Sequence, residues 1–525
     1  MENLLPFQAT SSILFTVAAL VAGTYLIYFY LPSWRLRRIP GPPALPLIGH
    51  LPLFGKHGLE VFKLLANRYG PIYRFQIGRQ PLVLVASPEL CKEVGIKKFK
   101  SAHNKSLPIS IRSAPIHSKG LMFTSEFPRW QSLRNLIVNI YYQPSHVANL
   151  IRAVQPYVER AGRLLHPGEE VTFSELAVKL FSDTLGQVAL GVDFGLTNDT
   201  TQQRPVQGPG VIDSVTDFIE KHIHVTTSLK MDLSAPLSIV TGLVAPFLQE
   251  PVRQLMLRVP GSADRRLEDT NAALSGLLDT IVAEQAAKMD RGQNNFLSVV
   301  LKASETMEDV KKLLTPDTVN ALTYEHLIAG SATSAFSLSS LVYLVAMHPE
   351  VEEKLLREID DFGPKDVVPT SEELMTKFPY VEQVLKESLR FFPAVPLVAR
   401  EAAEDMEIGG YLVPKGTWVW LGTGVLARDP KQFPDPDVFR PERFDPESEE
   451  CKKRHPYAFI PFGIGPRLCP AQKFAMQQLM LVVIHLYRHY VFRHSPSMEF
   501  PLQFQFSLLA YFKHGVKVQV IQRKN

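Results

Sequence analysis

The chain has 525 residues, 46% of them hydrophobic and 21% charged, enough for a sizeable core in one large domain or about two to three average ones. A net charge of +4, with no basic stripe interleaved with aromatics, argues against a nucleic-acid partner. Three widely spaced cysteines, Cys91, Cys451 and Cys469, form no C-x-x-C pair; this argues against a disulfide scaffold or a structural zinc site and for a reducing compartment.

Ile13 to Leu31 form an uncharged run rich in Leu, Val, Ile, Phe and Tyr, about long enough to cross a bilayer. Tyr28 and Tyr30 sit near one end, and Trp34, Arg35, Arg37 and Arg38 follow, while Glu2 alone is charged ahead of the run. The positive-inside rule therefore places everything after Leu31 in the cytosol. A cleaved signal peptide would carry its positive charges ahead of a shorter apolar core, so a retained anchor is expected. Ile39-Pro40-Gly41-Pro42-Pro43 then forbids helix continuation and stiffens the exit.

From Ile72 to Ala86 two short apolar runs flank Gly78-Arg79-Gln80-Pro81 and predict a β-hairpin. Residues 101–127 mix Ser, Pro, Ile and His without a period and predict a long loop. Trp130 and Arg134 follow; on a helix their spacing sets an indole N–H beside a guanidinium, a pair suited to a carboxylate or to a plain packed patch. Residues 146–300 read as mostly helical, broken by a polar loop at Thr200 to Gly210.

Thr315-Pro316-Asp317 marks a helix start. No charge occurs between Leu327 and Met347, so either a second membrane span or a buried central helix fits. Six hydroxyl residues there favour the buried helix. Glu387 and Arg390 sit three apart on the next clear helix, with Arg443 downstream in Pro441-Glu442-Arg443-Phe444. Lys452, Lys453 and Arg454, with Lys473, read as a basic patch that is either a solvated face or a docking surface for an acidic electron donor.

Near the C-terminus lies Phe462-Gly463-Ile464-Gly465-Pro466-Arg467-Leu468-Cys469-Pro470-Ala471-Gln472. Two glycines let this loop curl under a bulky object and aim its N–H groups at a sulfur. Cys469 is expected at a helix entrance, with Pro470 at the first helical position and the helix start lowering the thiol pKa. A thiolate so placed suits an axial bond to haem iron, although a buried free cysteine is the commoner fate of a lone Cys.

This loop resembles the haem-binding signature of the cytochromes P-450, with Phe462, Gly465, Arg467 and Cys469 matching and Ala471 standing where a second Gly is usual. The resemblance implies a mainly α fold with a smaller β-rich part. It also implies haem b held by Cys469, and Arg467, Arg400, Trp130 and Arg134 on the haem carboxylates. Ala329-Gly330-Ser331-Ala332-Thr333-Ser334 resembles the family's oxygen-binding motif, which implies that Gly330 makes room for dioxygen and Thr333 relays protons. Ala332 replaces the usual acid there, and a hydroxyl bonded back to its own helix is the plainer role for Thr333. Glu387, Arg390 and Arg443 would form a structural Glu–Arg–Arg cluster. The expected layout is a short lumenal N-terminus (1–12), a transmembrane anchor (13–31), a basic and Pro-rich hinge (32–52) and a single large haem domain (53–525).

Four further stretches resemble the plant carlactone oxidases of strigolactone biosynthesis: Gly70 to Gln76, Glu89 to Phe99, Ala329 to Thr333, and Phe512 to Val518. That likeness implies stepwise oxidation of a methyl group of carlactone, a small apolar apocarotenoid, to carlactonoic acid. Ring closure to a strigolactone such as 4-deoxyorobanchol would follow in some members. It also implies NADPH electrons delivered by NADPH–cytochrome P-450 reductase, and a single-pass protein of the endoplasmic reticulum membrane facing the cytosol. A haem–thiolate isomerase needing no reductase, and a membrane-anchored haem sensor without turnover, are the alternatives.

Overall fold

A computed structural model describes residues 5–107, 119–124, 126–198, 221, 224, 235–287, 295–306, 308–506 and 509–524. The polar loop expected at Thr200 to Gly210 lies outside the described residues, as do 108–118 and 125 of the loop expected over 101–127. The longer helices are α1 (Leu5–Arg35), α2 (Phe127–Tyr142), α3 (Pro144–Arg163), α4 (Phe173–Leu185), α5 (Ala263–Ala287), α6 (Pro316–Met347), α7 (Pro349–Asp361), α8 (Pro379–Phe391) and α9 (Gln472–His489).

Helix α1 is apolar and exposed over most of its length, as an anchor must be, but it continues past Leu31 through Pro32 to Arg35. Its last turns are docked. Phe29 is fully covered, Arg79 lies 3.8 Å over the Tyr28 ring, and Ser33 donates to Gln76 at 2.6 Å. The proline segment is pinned as well: the Arg74 N–H donates to Pro40 O at 2.8 Å, and its guanidinium donates to Arg37 O and Ile39 O, each at 2.9 Å. Residues 36–43 therefore form a strap on the body, stiffer than a swivel.

The expected hairpin is β1 (Ile72–Ile77) and β2 (Gln80–Val85), in register from Ile72↔Val85 to Ile77↔Gln80. Its turn is only Gly78-Arg79; Gln80 and Pro81 belong to the strand. Pro81 is tolerated because the parallel partner strand, Trp418–Leu421, begins pairing at Leu82. That strand and Val398–Glu401 complete a four-stranded sheet. A second sheet joins Glu170–Thr172, Lys517–Gln522 and Tyr490–His494, so the C-terminal strand closes against the chain's first half.

Helix α6 is the axis of the helical part. Pro316 takes its first position behind Thr315, whose hydroxyl meets Thr318 Oγ1 at 2.9 Å rather than a backbone N–H. The helix is mostly buried among α4, α5, α8 and α9, which resolves the choice at Leu327–Met347 in favour of a core helix. Four of its hydroxyls are absorbed by the preceding turn: Ser331, Thr333, Ser337 and Ser339 each donate to the carbonyl four residues back.

The Glu–Arg–Arg cluster forms as expected. Arg390 meets Glu387 with two bonds of 2.7 and 2.8 Å, Arg443 donates to the same carboxylate at 3.0 Å, and all three side chains have no exposed surface. Remaining guanidinium protons reach the carbonyls of Ala427, Pro434 and Pro436.

Candidate active site

The cysteine loop is built on backbone that only glycine adopts readily: Gly463 has φ +86° and Gly465 φ +69°. A Cβ on Gly465 would run into the carbonyl of Gly95, so the loop locks onto the turn Glu93–Lys97. Cys469 N–H donates to Phe462 O at 2.9 Å, closing the loop. Helix α9 begins only at Gln472, with Ala471 as its cap, so Cys469 and Pro470 stand ahead of the helix rather than in its first turn. Ala471 has φ −98°, where alanine is at ease, and its N–H bonds the Cys469 sulfur. The departure from glycine therefore costs the loop nothing in backbone strain.

The expected lowering of the thiol pKa is overturned. Burial pushes the Cys469 thiol up, outweighing the Ala471 N–H and the positive charges of Arg134 and Lys105. A helix start three residues away is too far to hold a thiolate unaided; a coordinating metal deprotonates a thiol outright.

Around this thiol gather cations from four separate elements. Arg467 leaves the loop, lies 4.5 Å over the Trp130 ring of α2 and donates to Thr124 O at 3.0 Å. Arg134 is one turn along from Trp130, and its charge acts on both Cys469 and Arg467. Arg400 is almost fully buried and donates to Ala399 O at 2.9 Å and Ile464 O at 3.5 Å. Lys105, from the segment before α2, completes the group. Burial is the chief cause that drives Arg467 down to about 9, Arg400 to about 10 and Lys105 to about 7; the neighbouring cations add to it for Arg467 and Lys105.

The Nε atoms of Arg400 and Arg467 are buried without a hydrogen-bond partner. Among the described residues, Glu325 of α6 is the carboxylate acting on Arg467 and Lys105. Lys105, Arg467 and Cys469 each keep some open surface although protein surrounds them. One thiol beside buried Lys105, Arg400 and Arg467, whose charges are only partly met among the described residues, fits a flat dianionic metal cofactor, which is the chemistry of haem with its two carboxylates.

Helix α6 opens on one short stretch. Between Thr318 and Val345 only His326, Ala329, Gly330, Ala332 and Thr333 are incompletely buried, and four of these are small residues. A Cβ on Gly330 would strike Leu185, so this glycine serves close packing against α4. The Thr333 hydroxyl donates to Ala329 O at 2.5 Å.

Lys105 and Glu325 escape a sequence reading. Lys105 stands in a Ser- and Pro-rich stretch without a motif. Glu325 did leave a signal: an acid just ahead of the uncharged run of a buried helix must find donors. The basic patch is corrected. Arg454 is inside, over Phe433 and Phe444 at 4.4 and 4.8 Å and paired with Glu450 at 3.2 Å. Lys452 and Lys453 pair with Glu447 and Glu449 at 3.0 and 3.3 Å. Arg454 alone departs from the expectation: the Lys452 and Lys453 side chains stay 50% and 79% exposed, the solvated face expected of them.

Fold and site together define a haem–thiolate protein. The sequence profile of the cytochrome P-450 family matches residues 39–520. Thromboxane-A synthase of Sus scrofa is 26% identical over 97% of both chains, and cytochrome P-450 3A6 of Oryctolagus cuniculus is 27% identical over 97% of both. The chain belongs to the cytochrome P-450 family. Its cofactor is haem with thiolate-ligated iron, and its electrons come from a redox partner.

Proposed function

We propose that this chain is a membrane-anchored monooxygenase that oxidises a methyl group of carlactone stepwise to carlactonoic acid, with ring closure to a strigolactone as a further step. The substrate rests on the four stretches that resemble carlactone oxidases, Ala329 to Thr333 above all, because those residues form the opening in the otherwise buried central helix. Their side chains are small and uncharged, which suits a small apolar substrate that must reach deep into the protein.

Bound haem supplies the activation of dioxygen. The chain's own residues do the rest. Cys469 would hold the haem iron through its sulfur, which takes the Ala471 N–H; Phe462 closes the loop that carries it. Arg467, Trp130, Arg134, Arg400 and Lys105 would hold the haem carboxylates. Thr333 and Gly330 line the reaction side, and Thr333 must let go of Ala329 O to pass a proton. Residues 1–12 lie in the lumen of the endoplasmic reticulum, 13–31 span its membrane, 32–52 tie the span to the body, and 53–525 work in the cytosol with NADPH–cytochrome P-450 reductase.

Ala332 in place of an acid, together with the back-bonded Thr333 hydroxyl, favours a second reading, a haem–thiolate isomerase that needs little proton delivery. One assay separates the two. Membranes bearing the protein and a plant reductase are given carlactone with and without NADPH, and products are read by mass spectrometry. Carlactonoic acid formed only with NADPH supports the oxidase. Product without NADPH supports the isomerase, and no product from spectrally intact protein removes carlactone.

A further inference from the structure

Residues 119–124 pass between the central helix and the cysteine loop, and one carboxylate holds them there. Leu121 N–H donates to Glu325 Oε2 at 2.6 Å, Met122 N–H to both oxygens at 2.9 Å, and Phe123 N–H to Oε1 at 3.3 Å. From the cysteine loop, the carbonyls of Leu121 and Thr124 take the Arg467 guanidinium at 3.5 and 3.0 Å. Three successive amide hydrogens thus face an anion of α6, while carbonyls of the same segment face a cation beside Cys469.

The segment has no slack. A Cβ on Gly120 would overlap the Glu325 carboxylate. Arg129 ties Lys119 O at 3.3 Å to Thr318 Oγ1 at 2.7 Å, and Lys119 pairs with Asp317 at the start of α6. Glu325 is fully enclosed, and the charged groups acting with it are Lys105 and Arg467. Such a carboxylate would cost several kcal/mol without its donors. Burial pushes its pKa up to about 7, against the three amides and Lys105.

We propose that Glu325 is the positioning residue for Arg467: by fixing residues 119–124 it sets where the guanidinium can reach the haem carboxylate, so haem retention depends on a side chain that touches neither haem nor substrate. This rests on the haem–thiolate reading above. Replacing the carboxylate by an amide leaves one acceptor oxygen and sets an NH2 donor against the N–H of Leu121 or of Phe123. The segment shifts, and Arg467 loses the carbonyls that aim it.

The test uses full-length, haem-loaded protein in membranes and measures haem release to a scavenging acceptor protein. Glu325→Gln is expected to release haem about tenfold faster or more, the loss that follows when hydrogen bonds to a charged group are removed. Adding Arg467→Lys to it should add little, because the guanidinium is already misplaced. Parental release from a folded Glu325→Gln variant, or losses that multiply in the double variant, would overturn the proposal. If Glu325→Gln does not fold, Gly120→Ala displaces the same carboxylate without changing charge and is read in the same two ways. A parent protein without the haem–thiolate band under carbon monoxide would sink the function proposed above instead, so the two failures are distinct.

Discussion

Two buried arginine clusters in this chain look alike in the sequence and differ in what completes them. At Glu387, Arg390 and Arg443 the positive charges are met inside the chain by one carboxylate, by Glu450 on Arg443 and by a ring of carbonyls. Near Cys469, Lys105 and Arg467 have Glu325 as the carboxylate acting on them among the described residues, and the Nε atoms of Arg400 and Arg467 have no partner there. The first cluster holds the fold whether or not a cofactor is present. The second is a site whose electrostatics close only when two more negative charges arrive. Buried cations without enough counter-charge mark a ligand site; buried cations fully paired mark a structural joint.

The sharpest way to break that contrast is to remove the shared acid of the paired cluster. Glu387→Gln strands two buried guanidinium groups and is expected to lose about 3–5 kcal/mol of stability, read by denaturant unfolding. Arg400→Leu should behave the opposite way in haem-free protein, leaving stability unchanged or raising it by about 1 kcal/mol, because an unpaired buried charge has gone. In loaded protein the same change should speed haem release by about tenfold, as expected for one lost charge-assisted contact.

A pH effect sharpens the comparison further. Burial and its cationic neighbours hold Lys105 down to about 7 in the haem-free chain, so above that pH its amine is neutral. A bound carboxylate would restore the ammonium, so binding takes up a proton above pH 7. Cys469 must give up a proton to ligate iron. Above pH 7, uptake at Lys105 and release at Cys469 therefore offset each other, and haem affinity should stay nearly level. Below pH 7 it should fall by up to about tenfold per unit of lowered pH. Lys105→Met removes the uptake, so its affinity should keep rising with pH above 7 in a titration of haem binding. The smallest expected effect is Thr333→Val. With its hydroxyl already given to Ala329 O and no acid at 332, product formed per NADPH should fall only about two- to fivefold, well short of a full acid–base contribution.

What the sequence showed depended on whether a feature is contiguous. The anchor, the hairpin at 72–85, the buried helix from Pro316 and the loop around Cys469 are each written in one run of residues, and each formed. The cations gathered near Cys469 come from four elements far apart in the chain, so only those in known motifs could be named, and Lys105, like the acid Glu325, could not. The Lys452–Arg454 run misled only at Arg454, which turns inward while Lys452 and Lys453 stay at the surface. Glu447, Glu449 and Glu450 just ahead of them were the sign that the charges stay at home. The position of Cys469 outside α9 turns on three residues of loop conformation, finer than a proline or glycine signal resolves.

The central claim is that Cys469 ligates haem iron within a cation-lined site. Its most direct test is the carbon monoxide difference spectrum of reduced, full-length protein in membranes, compared with Cys469→Ser. The haem–thiolate band should appear in the parent and vanish in the variant. The same band persisting in Cys469→Ser would contradict the account.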